Sequence, residues 1–404
     1  MTFEKQLLSE IWNPAPPGQM NTLLATGDLN GDGYPDLVIS GRHGYLAWLE
    51  NPGVSTPSGN WRKHIVDHRV SNMECGGLCY PVGGKPGFED IINGNTAGAD
   101  SIYWWENPGT GSLWKKRLIA KTGFNQIHDT AIGTVNDDTP RLFFTNQKGE
   151  NGGRLWSVPL PEDPTVSPWP GLELVADNLW EPNPHNPNWF PDERQPAEGI
   201  AIGDLDGDGI NEVVCGCHWF KRTADGNWEA HRFARDYVTT KCLIADVDGD
   251  GANEILLSEG DAVIYGFPRG CKCAWFKPFE GRRDELWEEH MIRDDLQDGH
   301  TLKSGPITGP GKTDLLLGEI GCANWETNTY KGQLPRLWIM ENDGKGSFTP
   351  HLIDEGTGVH DSALLDLRNT GRLDIVGKPL HGEHKWHIFA WFNEPGTGPS
   401  PVNR

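Results

Sequence analysis

Asp28-Leu-Asn30-Gly-Asp32-Gly-Tyr34-Pro-Asp36, Asp204-Leu-Asp206-Gly-Asp208-Gly-Ile210-Asn-Glu212 and Asp246-Val-Asp248-Gly-Asp250-Gly-Ala252-Asn-Glu254 are three copies of one nine-residue pattern. Oxygen donors stand at positions 1, 3, 5 and 9, and position 7 (Tyr34, Ile210, Ala252) offers its backbone carbonyl. The glycine at position 6 permits the sharp turn. This donor set suits a hard cation, so up to three calcium ions are expected on these residues. Each loop runs straight into an apolar strand, Leu37-Val-Ile39, Val213-Val214 and Ile255-Leu-Leu257. An EF-hand would instead continue into a helix and reach a glutamate at position 12. The strand context decides the fold class.

The loops belong to a longer internal repeat, of which seven units emerge. One unit reads as an apolar strand, the acidic or degenerate loop, a second strand, a third ending in aromatics with Asn-Pro-Gly, and a fourth of the form Trp-x-x-His-x-Ile. The third strand is plainest in Trp48-Leu-Glu-Asn-Pro-Gly53 and Trp104-Trp-Glu-Asn-Pro-Gly109. Degenerate loops near Pro81 to Asp90, Thr134 to Pro140, Ile307 to Asp314 and Asp366 to Asp374 lack the acidic ladder and are expected to bind no metal. Four antiparallel strands in each of seven units predict an all-β, seven-bladed β-propeller filling residues 1–404 as one domain. The last unit ends at Trp391-Phe-Asn-Glu-Pro-Gly396 without a fourth strand, and Phe3-Glu-Lys-Gln-Leu-Leu8 matches Phe348-Thr-Pro-His-Leu-Ile353. The N-terminal strand is therefore expected to complete the last blade.

These units resemble the FG-GAP, or VCBS, repeats of integrin α-chain propellers and many carbohydrate-active proteins. The strand endings are also similar to those of aldos-2-ulose dehydratase and of propeller-type polysaccharide lyases, including rhamnose-glucuronate and ulvan lyases. The resemblance implies the propeller fold, calcium loops and, from the second group, a carbohydrate substrate.

A formal net charge of −22 disfavours nucleic-acid and anionic-membrane partners. No apolar run is long enough to span a bilayer, and the N-terminus has neither a basic start nor a hydrophobic signal region. A cytoplasmic or already trimmed, monomeric protein is expected. The eight cysteines are read as buried free thiols, since Cys215/Cys217 and Cys271/Cys273 are too close in sequence for an unstrained bridge and lack CxxC spacing.

The fourteen histidines sort by repeat position. His64, His231, His290 and His351 hold the Trp-x-x-His-x-Ile place and read as scaffold. His128, His300 and His360 each stand six residues before the repeat position of the first loop aspartate, and Glu198 holds the same register before Asp204. First strands line a propeller's axis, so these four side chains are expected to converge opposite the calcium loops. Turns on that face carry Arg42, His43, Gln147, Lys148, His218, Glu259, Glu319, Lys378 and His381. An insertion from Asn178 to Arg194 brings Trp180, Trp189 and Arg194 to the same side, and Trp325 joins them as a platform for sugar rings.

Eliminating a group β to a uronate carboxylate or sugar ketone needs a base, a cation for the developing enolate and an acid for the leaving oxygen. His128, His300, His360, Arg42, His43 and Lys378 supply these types. Alternatively the axial histidines with Glu198 hold a second divalent ion, since imidazole suits Mn, Zn or Fe better than calcium. No Gly-x-Ser-x-Gly, phosphate loop or dinucleotide fingerprint is present. Two functions follow as expectations: a carbohydrate lyase or dehydratase, or a non-catalytic propeller binding glycans or proteins.

Overall fold

The structure, a computed structural model, describes residues 1–10, 20–42, 44–53, 61–71, 73, 75–85, 87–94, 99–110, 113–136, 138–147, 153–182, 194–261, 263, 269–321, 323–324, 329–330, 332–380 and 382–395. The alternation of apolar strand and turn yields seven antiparallel blades around an axis. From the axis outward, blade 1 comprises Met20–Gly27, Asp36–Arg42, Gly44–Glu50 and Arg62–Ser71. Blade 2 comprises Leu78–Tyr80, Asp90–Gly94, Ser101–Glu106 and Lys115–Lys121. Blade 3 runs through Ile127–Gly133, Arg141–Asn146, Gly153–Pro159 and Glu173–Pro182, and blade 4 through Ile200–Gly203, Glu212–Cys215, His218–Arg222 and Trp228–Arg232. Thr240–Ala245, Glu254–Glu259, Cys271–Lys277 and Glu288–Leu296 form blade 5, and Thr301–Gly305, Asp314–Gly318, Arg336–Asn342 and Phe348–Glu355 form blade 6.

Blade 7 is built from both chain ends. Asp361–Leu365, Asp374–Lys378 and His387–Glu394 receive Thr2–Glu10 as the outer strand, in a register that runs from Thr2 opposite Glu394 to Glu10 opposite His387. The expected closure is the observed one. Leu8, fully buried, packs with Leu367, Val376 and Phe392 of blade 7 and with Leu37, Leu49 and Trp61 of blade 1, so one apolar cluster seals the seam.

Comparable clusters fill every gap between neighbouring blades, because strands buried on both faces must be apolar on both. Polar staples run beside them. The Asn of each Asn-Pro-Gly ending reaches back to the preceding blade: the Nδ2 of Asn51 donates to the Leu367 carbonyl (2.9 Å) and that of Asn107 to the Leu29 carbonyl (2.9 Å). Asn342 reaches Val247 (2.9 Å) and Asn393 reaches Ile307 (3.1 Å) in the same way. Blades 4 and 5 lack that asparagine, and Asn211 and Asn253 inside their loops make the equivalent bonds to Thr134 and Asp204. The position-9 carboxylate holds each loop shut, as where Asp36 accepts from the Leu29 and Asn51 amides.

The scaffold histidines lie in the fourth strands; His64, His231 and His290 stand opposite tryptophans of the third, whereas His351 stands opposite Ile339 and pairs with Glu341 (3.0 Å). His64 stacks on Trp48 with ring centroids 4.2 Å apart, His231 on Trp219 at 4.0 Å and His290 on Trp275 at 3.8 Å. The seven described cysteines are free thiols; Cys322 lies outside the described residues. Part of the expected Asn178 to Arg194 loop is strand instead: Asn178–Pro182 continues the outer strand of blade 3, and Arg194–Pro196 returns against it with Trp180 opposite Pro196. No helix among the described residues is long and apolar enough to cross a membrane.

Candidate functional site

All seven first strands line an axial cavity of about 380 Å³. The acidic loops follow these strands, at one end of the axis; the residues just ahead of the strands crowd the other end. Two positions before each axial histidine the backbone is left-handed, at Gln126 (φ 63°), Asp298 (φ 58°) and Gly358 (φ 74°). Such a conformation is costly for a residue with a side chain and recurs where structure must be placed accurately. One turn type thus delivers His128, His300 and His360 to the axis.

These three and Glu198 converge there, each at most 5% exposed. The Nε2 of His128 lies 3.5 Å from one Glu198 oxygen, and the Nε2 of His300 lies 3.3 Å from the other. The His300 and His360 rings stack at 4.4 Å, and the His128 and His300 centroids are 6.4 Å apart. Gln147, itself bonded to Gln126 (2.5 Å), donates to Glu198. Lys378, fully buried, adjoins the group through its carbonyl, which accepts from the His360 amide (2.9 Å).

Four members of the cluster were not anticipated. Lys241 bonds Asp129 (3.0 Å) and lies 3.6 Å from Glu198; Asp129 also accepts from His128 Nδ1 (2.8 Å). Cys75 Sγ is 3.0 Å from His128 Nε2, and Asp261 offers an oxygen close to Glu198 and His300. Asp129 and Lys241 sit one residue beyond the histidine register, which was the available signal. Cys75 and Asp261 lie on connecting segments with no repeat signature.

Electrostatics separate the three imidazoles. Burial opposes charge on His128, yet Cys75, Glu198 and Asp129 around it hold its pKa well above the ordinary histidine range. Burial first, then His300 and Lys378, hold His360 well below that range, and its Nδ1 has no hydrogen-bond partner among the described residues. Burial resists ionisation of Glu198, but His128, His300 and Lys241 bring its pKa down to about 2. Asp129 is likewise held low against burial by Lys241 and His128, and Lys241 high against burial by Asp129. Two anions thus face two cations, with a neutral imidazole beside them.

His300 carries a further constraint. Its Nδ1 lies 3.1 Å from the His360 carbonyl, which can only accept, so Nδ1 bears the proton. The His300 Nε2 then stands 3.3 Å from Glu198 Oε2, which has no hydrogen-bond partner among the described residues. A proton on Nε2 or a metal ion between the two atoms would satisfy both. Glu198, Asp261 and His300 have ligand atoms within 4.8 Å of one another, and a carbonyl-bound Nδ1 is the usual support of a metal-ligating histidine.

Other expected residues stand apart. Glu259 is engaged by Arg269 (2.6 Å) and the Lys272 amide (2.7 Å), and Glu319 by Arg336 (2.7 Å). His218 packs on Phe220, its pKa lowered to about 4 by burial and then Arg232. Arg42 ends the second strand of blade 1, and Trp180 lies on the outer strand of blade 3. Arg194 begins the added short strand. His43, Lys148, Trp189, Trp325 and His381 lie outside the described residues.

Residues 20–45, which include the first acidic loop, match the family model described as FG-GAP repeat. No curated protein matches the chain. Among solved structures, BBS1N in complex with ARL6DN is similar at 12% identity over 98% of both chains, with a TM-score of 0.56. The exotype rhamnogalacturonan lyase YesX and the rhamnogalacturonan lyase YesW are each 12% identical, over 97% of this chain and 76% of theirs, with TM-scores of 0.47 and 0.45. At these identities the likeness is one of fold.

Proposed function

We propose that this propeller, which carries an FG-GAP repeat, is a carbohydrate lyase or dehydratase acting by β-elimination at the histidine end of its axis. The observation that carries this is the split among neighbouring imidazoles, His128 held protonated and His360 held neutral with a bare Nδ1. Environments that push like groups apart in pKa mark an acid and a base. His360 takes the proton α to a carboxylate or ketone, and His128 protonates the oxygen that leaves as the C–O bond breaks. Lys241 and Lys378 bring positive charge to the developing enolate. A divalent ion of the Mn, Zn or Fe class, held by Glu198, Asp261 and His300, would supply Lewis-acid stabilisation of the same enolate.

The test is a screen against uronic-acid polysaccharides, read by the ultraviolet absorbance of unsaturated uronate products. His128→Ala and His360→Ala should each lower turnover about a hundredfold or more on the substrate found, the usual scale for a positioned acid or base. A second reading, a propeller that binds glycans or proteins, is favoured by the closure of the cluster, in which Glu198 is 2% exposed and the charges balance. In that case the same substitutions lower stability and no elimination product forms.

A further inference from the structure

We infer that Lys221 and Lys277 are the resident cations of the acidic loops in blades 4 and 5, leaving the blade 1 loop as the one of the three that takes a free divalent ion. In the blade 4 loop Asp204 gives both oxygens to the Gly207 and Gly209 amides (2.7 and 2.9 Å), and the other three carboxylates give one each: Asp206 accepts from Asp208 (3.3 Å), Asp208 from Ile210 (2.8 Å) and Glu212 from Leu205 (2.8 Å). The second oxygens of these three converge, and the Lys221 ammonium stands at their meeting point. It bonds Asp206, lies 2.7 Å from Asp208 and 3.6 Å from Glu212. Blade 5 repeats the arrangement, with Lys277 bonded to Asp248, 2.6 Å from Asp250 and 3.8 Å from Glu254.

Calcium would sit about 2.3–2.6 Å from the same oxygens, in the space the ammonium fills, and two cations cannot share that seat without strong repulsion. The sequence carries the same substitution. Both lysines follow a Trp-Phe pair in the third strand, Trp219 to Lys221 and Trp275 to Lys277; blade 1 has Trp48-Leu-Glu50 there. Glu50 turns instead to His64 (2.6 Å). The loop without the lysine also has Asn30 in place of the fourth carboxylate, so the extra acid and the extra ammonium arrive together. Blade 7 shows a third version: Arg368, inside its loop, bonds Asp374 at 3.0 Å. The loop without the lysine, Asp28 to Asp36, holds no ammonium; there the Asn30 amide donates to Asp32 (3.0 Å), a contact that an entering ion would replace, and Asn369 of blade 7 donates to the Gly33 carbonyl (3.3 Å) at the ring's seam.

Calcium titration of the full chain by calorimetry tests this, independently of any lyase activity. One ion per chain is expected, none in Asp28→Ala, and three in the Lys221→Met/Lys277→Met double variant. Two or three ions in the native chain, or a folded double variant that still binds one, would overturn the inference. Should the double variant fail to fold, Asp28→Ala decides: residual calcium binding there refutes it, and complete loss supports it.

Discussion

Glu198 is the residue on which the axial cluster turns. Its folded pKa of about 2 lies below the ordinary carboxyl value of 4.5, so its ionised form stabilises the fold above the unfolded pKa. That contribution is lost as pH falls from about 4.5 toward about 2, and melting curves across this range should show an acid-labile step that Glu198→Gln removes. At neutral pH the same substitution leaves Asp129 alone to balance His128 and Lys241, one buried positive charge in excess, and should cost up to about 3–5 kcal/mol, the scale for stranding a buried charge. A Glu198→Gln protein with native melting behaviour at both pH values would show the cluster to be energetically idle. The scaffold histidines differ. His290→Ala removes one stacked pair on Trp275, about 0.5–1.5 kcal/mol beyond the area lost, and should leave turnover per folded molecule unchanged.

At the scale of the element, the outer strand of blade 7 and the asparagine staples are the parts most open to test. Deleting residues 1–10 uncovers the edge of His387–Glu394 and empties the place of Leu8, so the truncated chain should aggregate or melt far below the native protein. Wild-type solubility and melting after that deletion would exclude a closing role. Asn107→Ala strands the Leu29 and Glu89 carbonyls that its amide serves and should cost about 1–3 kcal/mol in denaturant unfolding.

For the whole molecule, stability depends on how the ring is closed. A divalent ion at Asp28 to Asp36 would tie blade 1 to blade 7 beside the apolar seam. Calcium at a hundred times its dissociation constant should add about 2.7 kcal/mol by mass action, and EDTA should lower the melting temperature of the native chain but not of Asp28→Ala. Equal shifts in both proteins would place the responsible ion elsewhere. Because every blade packs on two neighbours, loss at the seam should propagate as one cooperative transition.

The sequence alone determined the propeller, the count of its blades and the strand that closes it, because the strand pattern is a local signal repeated seven times and the acidic loop is complete in three of the units. It also placed His128, His300, His360 and Glu198 on one register, since a repeat converts spacing along the chain into position around an axis. Only the tertiary structure decided that Asp129, Lys241, Cys75 and Asp261 join them, that Glu259 and Glu319 are engaged by arginines in their own blades, and that lysines stand inside two acidic loops. Those facts depend on which side chains meet across blades or across strands. Long flexible side chains such as Lys221 leave no periodic trace of where their charged ends come to rest.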